Sequence, residues 1–361
     1  MPQSNPHAAV EIYEAKEVFE GSKKKTVESN NVTWDSWKHP RLFTNVNIEL
    51  VTNEASQGVW QLFDPDYRVL NLYAKSAGVP QLHMRFWLGF GQELGEPVFK
   101  GLLARIERND TNTTFRAYDM GYKMRLEKRP GYHSRLDDIA ILKKLAERNG
   151  LKFEGPEKPL KLGKHDAMAQ GEQNDWEHAM ERAKDAGLVL YVRQDTLFAK
   201  YPAKPSLFPK LALLYGQDFV TLHGFNFSYK LPENKEGRAK SKEIRVRGKG
   251  GKRRSGKSGV SKRGHTDVLL WRDLPDKHKH HLDARAQAQK ELEREHAIEG
   301  TIKQISPLSD ARPDVRDTIQ LLNFGSFFSG LYVCDSVTHD FSSSGLTTTY
   351  DLYADLAAEI Q

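Results

Sequence analysis

Gly251-Lys252-Arg253-Arg254-Ser255-Gly256-Lys257-Ser258 spells G-x-x-x-x-G-K-S. In that spacing, backbone N–H groups can cradle nucleotide phosphates while the lysine reaches the terminal ones. The chemistry needs a buried strand before the loop, a helix N-terminus after it, and a distant carboxylate for Mg²⁺. Neither flank meets this. Glu243-Ile244-Arg245-Val246-Arg247 alternates like a half-exposed strand, and Gly259-Val260-Ser261-Lys262-Arg263-Gly264 cannot open a stable helix. A tract made almost wholly of Gly, Lys, Arg and Ser spells the pattern by composition alone, so no cofactor is expected. The same tract offers Lys249, Lys252, Arg253, Arg254, Lys257, Lys262 and Arg263 as phosphate or partner contacts. It lacks interleaved aromatics, so nucleic acid would be held without sequence preference. The plainer expectation is a solvated hairpin tip between Val246 and Val268, with docking to an acidic partner as its next use.

Other reactive residue types are scattered. His278, His280 and His281 form a tract in which only His278 and His281 share a helical face, and zinc needs three or four converging ligands. No metal is expected. Asp64, Asp66, Asp137 and Asp138 sit at turn and helix-start positions, and none is placed as a general acid in an apolar pocket. Cys334, the single cysteine, lies in a β run and reads as a small core residue; it excludes an internal disulfide. No G-x-S-x-G is present. The residues imply no enzyme.

The elements that must carry these residues divide the 361-residue chain into four stretches. Residues 1–30 read as a polar lead-in. From 31 to 130 the signal is β: Val46–Leu50 and Leu82–Phe86 alternate, and Leu102–Glu107, Asn109–Asn112 and Thr114–Tyr118 form a hairpin. Short strands at regular spacing suggest a barrel or sandwich. Residues 131–205 read as a small α/β module. Ser134 starts one helix, with Ile139, Leu142, Leu145 and Ala146 as its stripe and Gly150 as its stop. Asn174 and Glu177 form a capping box for a second helix ending at Gly187, and a hairpin follows over Leu188–Val192 and Leu197–Ala199. Residues 206–361 return to β, interrupted by the basic loop 248–264 and a thinly apolar helix over 278–299 that should bury little of itself. The fold class is α+β, mainly β, with barrel-like regions on either side of the insert.

Charge supports a segmental reading. Thirteen Lys/Arg against two Glu over 235–263 give a local +11, whereas the whole chain carries +6, so the remainder is mildly acidic. No apolar run approaches the roughly 18 residues of a membrane helix, and Met1–Ala15 has no apolar signal core. A soluble, multidomain chain made in a reducing compartment is expected, with no membrane partner.

The run Gln173-Asn174-Asp175-Trp176-Glu177, Arg182-Ala183, Gly187, Leu190-Tyr191-Val192 and Asp195-Thr196-Leu197 resembles the inserted domain of the phage late control D protein family. These are baseplate hubs of contractile tails, similar to the hub part of VgrG spikes. Gly330-Leu331-Tyr332-Val333, His339, Gly345 and Thr347-Thr348-Thr349 resemble the family's closing hairpin. Pro97-Val98-Phe99-Lys100-Gly101 with Ile106-Glu107 is similar to an early strand pair, and the three pieces come in the family's order.

The resemblance implies two tube-protein-like β-barrels flanking the insert. It also implies a homotrimer that presents six like barrels to a hexameric tail tube protein or tube-adaptor ring, and threefold symmetry to the central spike protein. The chain would sit in the virion tail baseplate after synthesis in the host cytoplasm. It would line part of the DNA conduit, with the tape measure protein and transiting DNA as further partners. The tract 248–264 departs from the family pattern, and should point outward or toward a protein, since a phosphate-gripping bore would retard DNA. Two alternatives stand beside the hub. One is a tail-associated peptidoglycan hydrolase, for which no domain is left over. The other is a nucleic-acid-binding protein built on 235–263.

Overall fold

The computed structural model describes residues 6–20, 23–74, 82–90, 95–165, 167–215, 222–229, 241–247, 253–257, 266–271, 279–292, 296, 298–305 and 312–354. The N-terminal region supplies β1 (Pro6–Glu20), β2 (Lys23–Asp35), β3 (Asn45–Leu50), β4 (Gln57–Phe63), helix α1 (Arg68–Ala74), β5 (Leu82–Phe90), β6 (Phe99–Asn109) and β7 (Asn112–Asp119). The middle holds β8 (Tyr132–His133), α2 (Asp138–Arg148), β9 (Lys152–Glu154), β10 (Met168–Ala169), α3 (Asp175–Ala186), β11 (Val189–Arg193) and β12 (Thr196–Lys200). The C-terminal region contributes β13 (Leu211–Leu214), β14 (Leu222–Tyr229), β15 (Ser241–Arg247), β16 (Arg253–Lys257), β17 (Thr266–Trp271), α4 (Lys279–Leu292), β18 (Ile298–Ile305), β19 (Thr318–Leu322), β20 (Gly330–Ser342) and β21 (Gly345–Ala354).

Both outer regions enter one 13-stranded sheet, ordered β14-β18-β21-β20-β3-β4-β7-β6-β5-β1-β2, with β19 on β20 and β13 on β19. They meet where β20 runs antiparallel to β3, Val337 opposite Leu50 and Ser342 opposite Asn45. Period-two burial in β3, β4 and β7 turns one face of each inward. Those faces share a single core, in which Trp60, Phe115 and Val46 join Val337, Tyr350 and Leu352. Trp34 meets Trp60 in a tilted contact and Trp60 stacks on Phe115, with ring centroids 5.1 and 5.6 Å apart. The two regions are therefore fused through one ladder, and among the described strands hydrogen bonding closes no ring: the order ends at β14 and β2.

The stretch 1–30 is more than a polar lead-in. β1 lies between β2 and β5, with Ala8, Val10, Ile12 and Tyr13 buried. Its Glu11 is neutralised in place. Arg85 on β5 holds buried Glu11 at 2.9 Å, pairs also with Glu28 on β2, and lies over the Tyr13 ring. A strand whose carboxylate is met by a neighbour's arginine looks solvated when its sequence is read alone.

The insert has a separate core of Ile141, Leu142, Leu145, Ala179, Ala183, Leu190 and Leu197. α3 begins as its sequence predicts, Asn174 Oδ1 accepting from Glu177 N at 2.8 Å while Glu177 accepts from Asn174 N at 3.0 Å. α2 begins three residues later than expected: Asp137, not Ser134, caps it by accepting from Ala140 N. The hairpin β11–β12 turns through Gln194 (φ 51°), and β12 runs parallel to β9.

Two expectations in the C-terminal region need correction. The basic loop 248–264 is not all loop: 253–257 forms β16, antiparallel to β15, in a three-stranded sheet completed by β17 parallel to β15. Of the helix expected over 278–299, Lys279–Leu292 is described as helix, and Ile298 and Glu299 belong instead to β18, Ile298 lying opposite Ala354. α4 also buries more than its thin stripe suggested, Arg285, Ala286 and Ala288 all being inaccessible. The helix docks where α3 ends, and Gly187 is required there twice: its φ is 69°, and a Cβ would lie 2.5 Å from the Ala288 backbone.

Candidate assembly interface

Of the residues singled out for phosphate or partner contact, Lys249, Lys252, Lys262 and Arg263 lie outside the described residues. Arg253, Arg254 and Lys257 sit on β16, opposite Arg247, Val246 and Glu243. A strand at this position removes the phosphate-loop reading. The glycine-lysine pair lies in a ladder with β15, and among the described residues the next helix, α4, starts only at Lys279. His278 is outside the described residues, and His280 and His281 fall in the first turn of α4.

The carboxylates and the cysteine take structural places. Asp64 accepts from Val69 N and Leu70 N and so caps α1. Asp119, fully buried, accepts from Ser56 N at 2.7 Å and Gly121 N at 2.9 Å. Burial raises its carboxyl to about 6, outweighing those bonds and the charges of Arg125 and Arg193. The Cys334 thiol is pushed well above its usual range by burial and by the carboxylates of Asp314 and Asp335. Its Sγ faces the Ser336 carbonyl at 3.2 Å.

What the site residues do build is a rigid junction of the three parts. Arg193, at the end of β11, donates from Nε and Nη2 to Asp314 of the C-terminal region at 2.7–2.9 Å and from Nη1 to Ser56 of the N-terminal region at 3.1 Å. Leu190 N donates to Asn53 Oδ1, Lys100 Nζ reaches Asp195 at 2.7 Å, and Gln194 donates to the Pro97 carbonyl. A bidentate guanidinium shared between two regions fixes orientation as well as distance.

A second lock is buried between α2, α3 and α4. Asp138 has Arg285 Nη2 at 2.6 Å, His165 Nε2 at 2.8 Å and Arg182 Nη1 at 3.6 Å. Arg285 also donates from Nε to the Leu162 carbonyl at 2.8 Å. Burial pushes the Asp138 carboxyl up, but Arg285, the His165 hydrogen bond and Arg182 outweigh it and hold the group at about 2. Asp185, 2.8 Å from Arg182, goes the other way: burial and the Asp138 charge prevail over both arginines and lift it to about 7. Nothing in the spacing of Asp138, His165, Arg182 and Arg285 signals this cluster, because helix docking alone brings them together.

Outside these locks lie surfaces suited to partners. Leu207 and Phe208 are 85% and 89% exposed, the extremes among the described large apolar side chains. Their loop is held rigidly, Ser206 N donating to Thr318 Oγ1 at 2.8 Å and Lys210 N to the Thr318 carbonyl at 2.7 Å. The sequence does carry a signal here, an apolar pair set between Pro205 and Pro209 with Lys204 and Lys210 outside. Along β14, Phe225 is 48% exposed and packs on Phe324 and Tyr215, with ring centroids 5.4 and 5.6 Å apart. The opposite face of β14 lines a groove of about 390 Å³ with Glu299, Thr301, Asp335 and Asp351. Among the described residues no helix is long and apolar enough to cross a membrane.

This arrangement recurs in solved structures. The prophage MuSo2 43 kDa tail protein from Shewanella oneidensis superposes with a TM-score of 0.59 at 11% identity, over 95% of this chain and 98% of that one. The tail protein from Neisseria meningitidis MC58 gives 0.60 at 13% identity, over 96% and 97%. An E. coli protein described as a type VI secretion system component with structural similarity to T4 bacteriophage tail proteins gives 0.53 at 9% identity, over 87% and 73%. The chain thus has a fold found in phage tail proteins. Residues 41–343 match the family model of the Alg8 N-terminal domain. No curated protein sequence matches the chain.

Proposed function

The chain belongs to the family of the Alg8 N-terminal domain, and we propose that it is a structural protein of a contractile phage tail or related injection machine. In this reading it is a baseplate hub of the late control D type and not an enzyme. The observation that carries the proposal is a fold held in common with two tail proteins over nearly their whole lengths. Three copies would form a ring in the virion baseplate, meeting the sixfold tail tube on one side and the threefold spike on the other, around a passage for DNA. Each chain would offer two tube-like lobes, the sheet regions on either side of the β3–β20 seam, which makes a threefold ring approximate sixfold symmetry.

The junction built by Arg193 supports this role, because an adaptor must hold its two lobes at a fixed angle while force passes through it. The Leu207–Phe208 knob and the β2 edge give neighbouring copies apolar and backbone surfaces to share. Native mass spectrometry of the full chain tests the assembly. A species near 124 kDa, three times the 41.2 kDa chain, is expected; a monomer at every concentration, or a dimer, overturns the trimer.

A further inference from the structure

His133 on β8 and His178 on α3 stack inside the insert, with ring centroids 5.6 Å apart and planes 9° from parallel. Both are buried, at 2% and 1% exposure. Among the described residues, neither nitrogen of His133 nor Nε2 of His178 has a hydrogen-bond partner, and His178 Nδ1 faces Gln173 Oε1 at 3.2 Å. The segment that carries His133 is a strap across the start of α3. Lys128 bridges to Asn174, the cap of α3, and Gln170 N donates to the Gly131 carbonyl at 2.9 Å. Tyr132 and His133 then lie opposite Ala169 and Met168 of β10. A ladder of two residues holds little by itself, so the ring pair carries much of the attachment.

Every element around the pair sets how it responds to a proton. Lys144 and Arg148 of α2 and Arg182 of α3 act on His133, and Arg182 acts on His178. Two carboxylates of α3 oppose them, and both are already engaged. Asp175 accepts from Arg148, from Gln170 at 2.7 Å and from Asn149 at 2.6 Å. Glu181 accepts from Arg182 at 2.7 Å and from Gln173 at 3.1 Å. β10 brings only Met168 and Ala169, which carry no charge.

We infer that the His133–His178 pair is an acid-released clasp: a proton on either ring puts a buried cation among cations, and the strap over 128–133 lifts with β10 from α3. Burial first, then Arg182 and His133, hold the His178 ring at about 4 against an ordinary 6.5, while burial, Lys144 and Arg148 lower His133. A histidine depressed in the closed form weakens that form as pH falls below 6.5, and goes on weakening it down to the depressed value. For His178 alone, opening becomes about 20-fold more favourable between pH 7 and pH 5, and His133 adds in the same direction. Asp185, in the same module, has the opposite sign. Raised to about 7, it tightens the fold in acid, so loosening there is not its doing. The clasp does not depend on the hub reading.

Hydrogen exchange of the full chain at pH 7 and pH 5, corrected for the intrinsic pH dependence of exchange, tests this. Protection over 128–135 and 167–173 should fall about tenfold or more in the unaltered chain. His133→Phe combined with His178→Asn keeps a ring on β8 and a donor toward Gln173 while removing both titrations, and the fall should shrink to under about threefold. Equal protection at the two pH values in the unaltered chain overturns the inference whether or not the variant folds. So does a folded variant that keeps the full loss, or a loss of equal size in β11 and β12, which would mean that the whole module opens.

Discussion

Arg285→Met removes the cation that α4 places against Asp138 while keeping most of the side chain's volume. In the parent, Asp138 is held at about 2 against an ordinary 3.8, a depression equivalent to about 2.5 kcal/mol. A carboxyl held down contributes stability that is fully present above its unfolded pKa, here near pH 4, and is lost as pH falls through 2. Without Arg285, burial is the largest remaining influence and the carboxyl moves up instead. At pH 7 a buried charge left with only the His165 hydrogen bond and the more distant Arg182 should cost about 3–5 kcal/mol. At pH 3 the variant's Asp138 is neutral while the parent's is still mostly ionised, so the gap should shrink to about 2–3 kcal/mol, the part of the pair's contribution that survives there together with the lost packing and the lost donor to Leu162. Urea unfolding followed by tryptophan fluorescence at pH 3, 5 and 7 reads this directly. A gap of the same size at pH 3 and pH 7, or a variant within about 1 kcal/mol of the parent at pH 7, refutes the reasoning.

Other outcomes follow from the same contacts. The Asp119 carboxyl is raised to about 6, so the folded state holds its proton more tightly and the protein should lose up to about 3 kcal/mol as pH rises from 4 to 6; Asp119→Asn should flatten that part of a urea-midpoint profile. Asp185, raised to about 7, should behave likewise, and Asp185→Asn should raise the melting temperature at pH 7 but not at pH 4. Gly187→Ala forces a Cβ onto the Ala288 backbone at a φ of 69°, and should accelerate hydrogen exchange in α4 while leaving β3 and β20 protected. Leu207→Ser with Phe208→Ser removes exposed apolar surface only, so stability should change by less than about 0.5 kcal/mol while the oligomer seen by native mass spectrometry weakens.

Much of the fold was legible because its local signals agree with its tertiary contacts. The capping box at Asn174 and Glu177, the β11–β12 hairpin and the alternation in β3 each specify an element that packing then keeps. β1 was not legible, since Glu11 reads as solvent-facing until Arg85 arrives from β5, 74 residues away. The start of α2 shifted because Asp137 competes with Ser134 for the cap and carries a charge that favours the helix N-terminus. The candidate site was less legible still. The basic tract drew attention by composition, yet its described part is a strand. The residues that make the two locks, Arg193 and Arg285, are single arginines whose partners lie 121 and 147 positions away in sequence. No spacing rule reaches that far.

The most direct test of the hub proposal is copy number and position in the assembled particle, by electron microscopy of tails containing the chain. Three copies arranged around the axis between tube and spike are the expected result. Six copies in the tube wall, or density away from the axis, would contradict it.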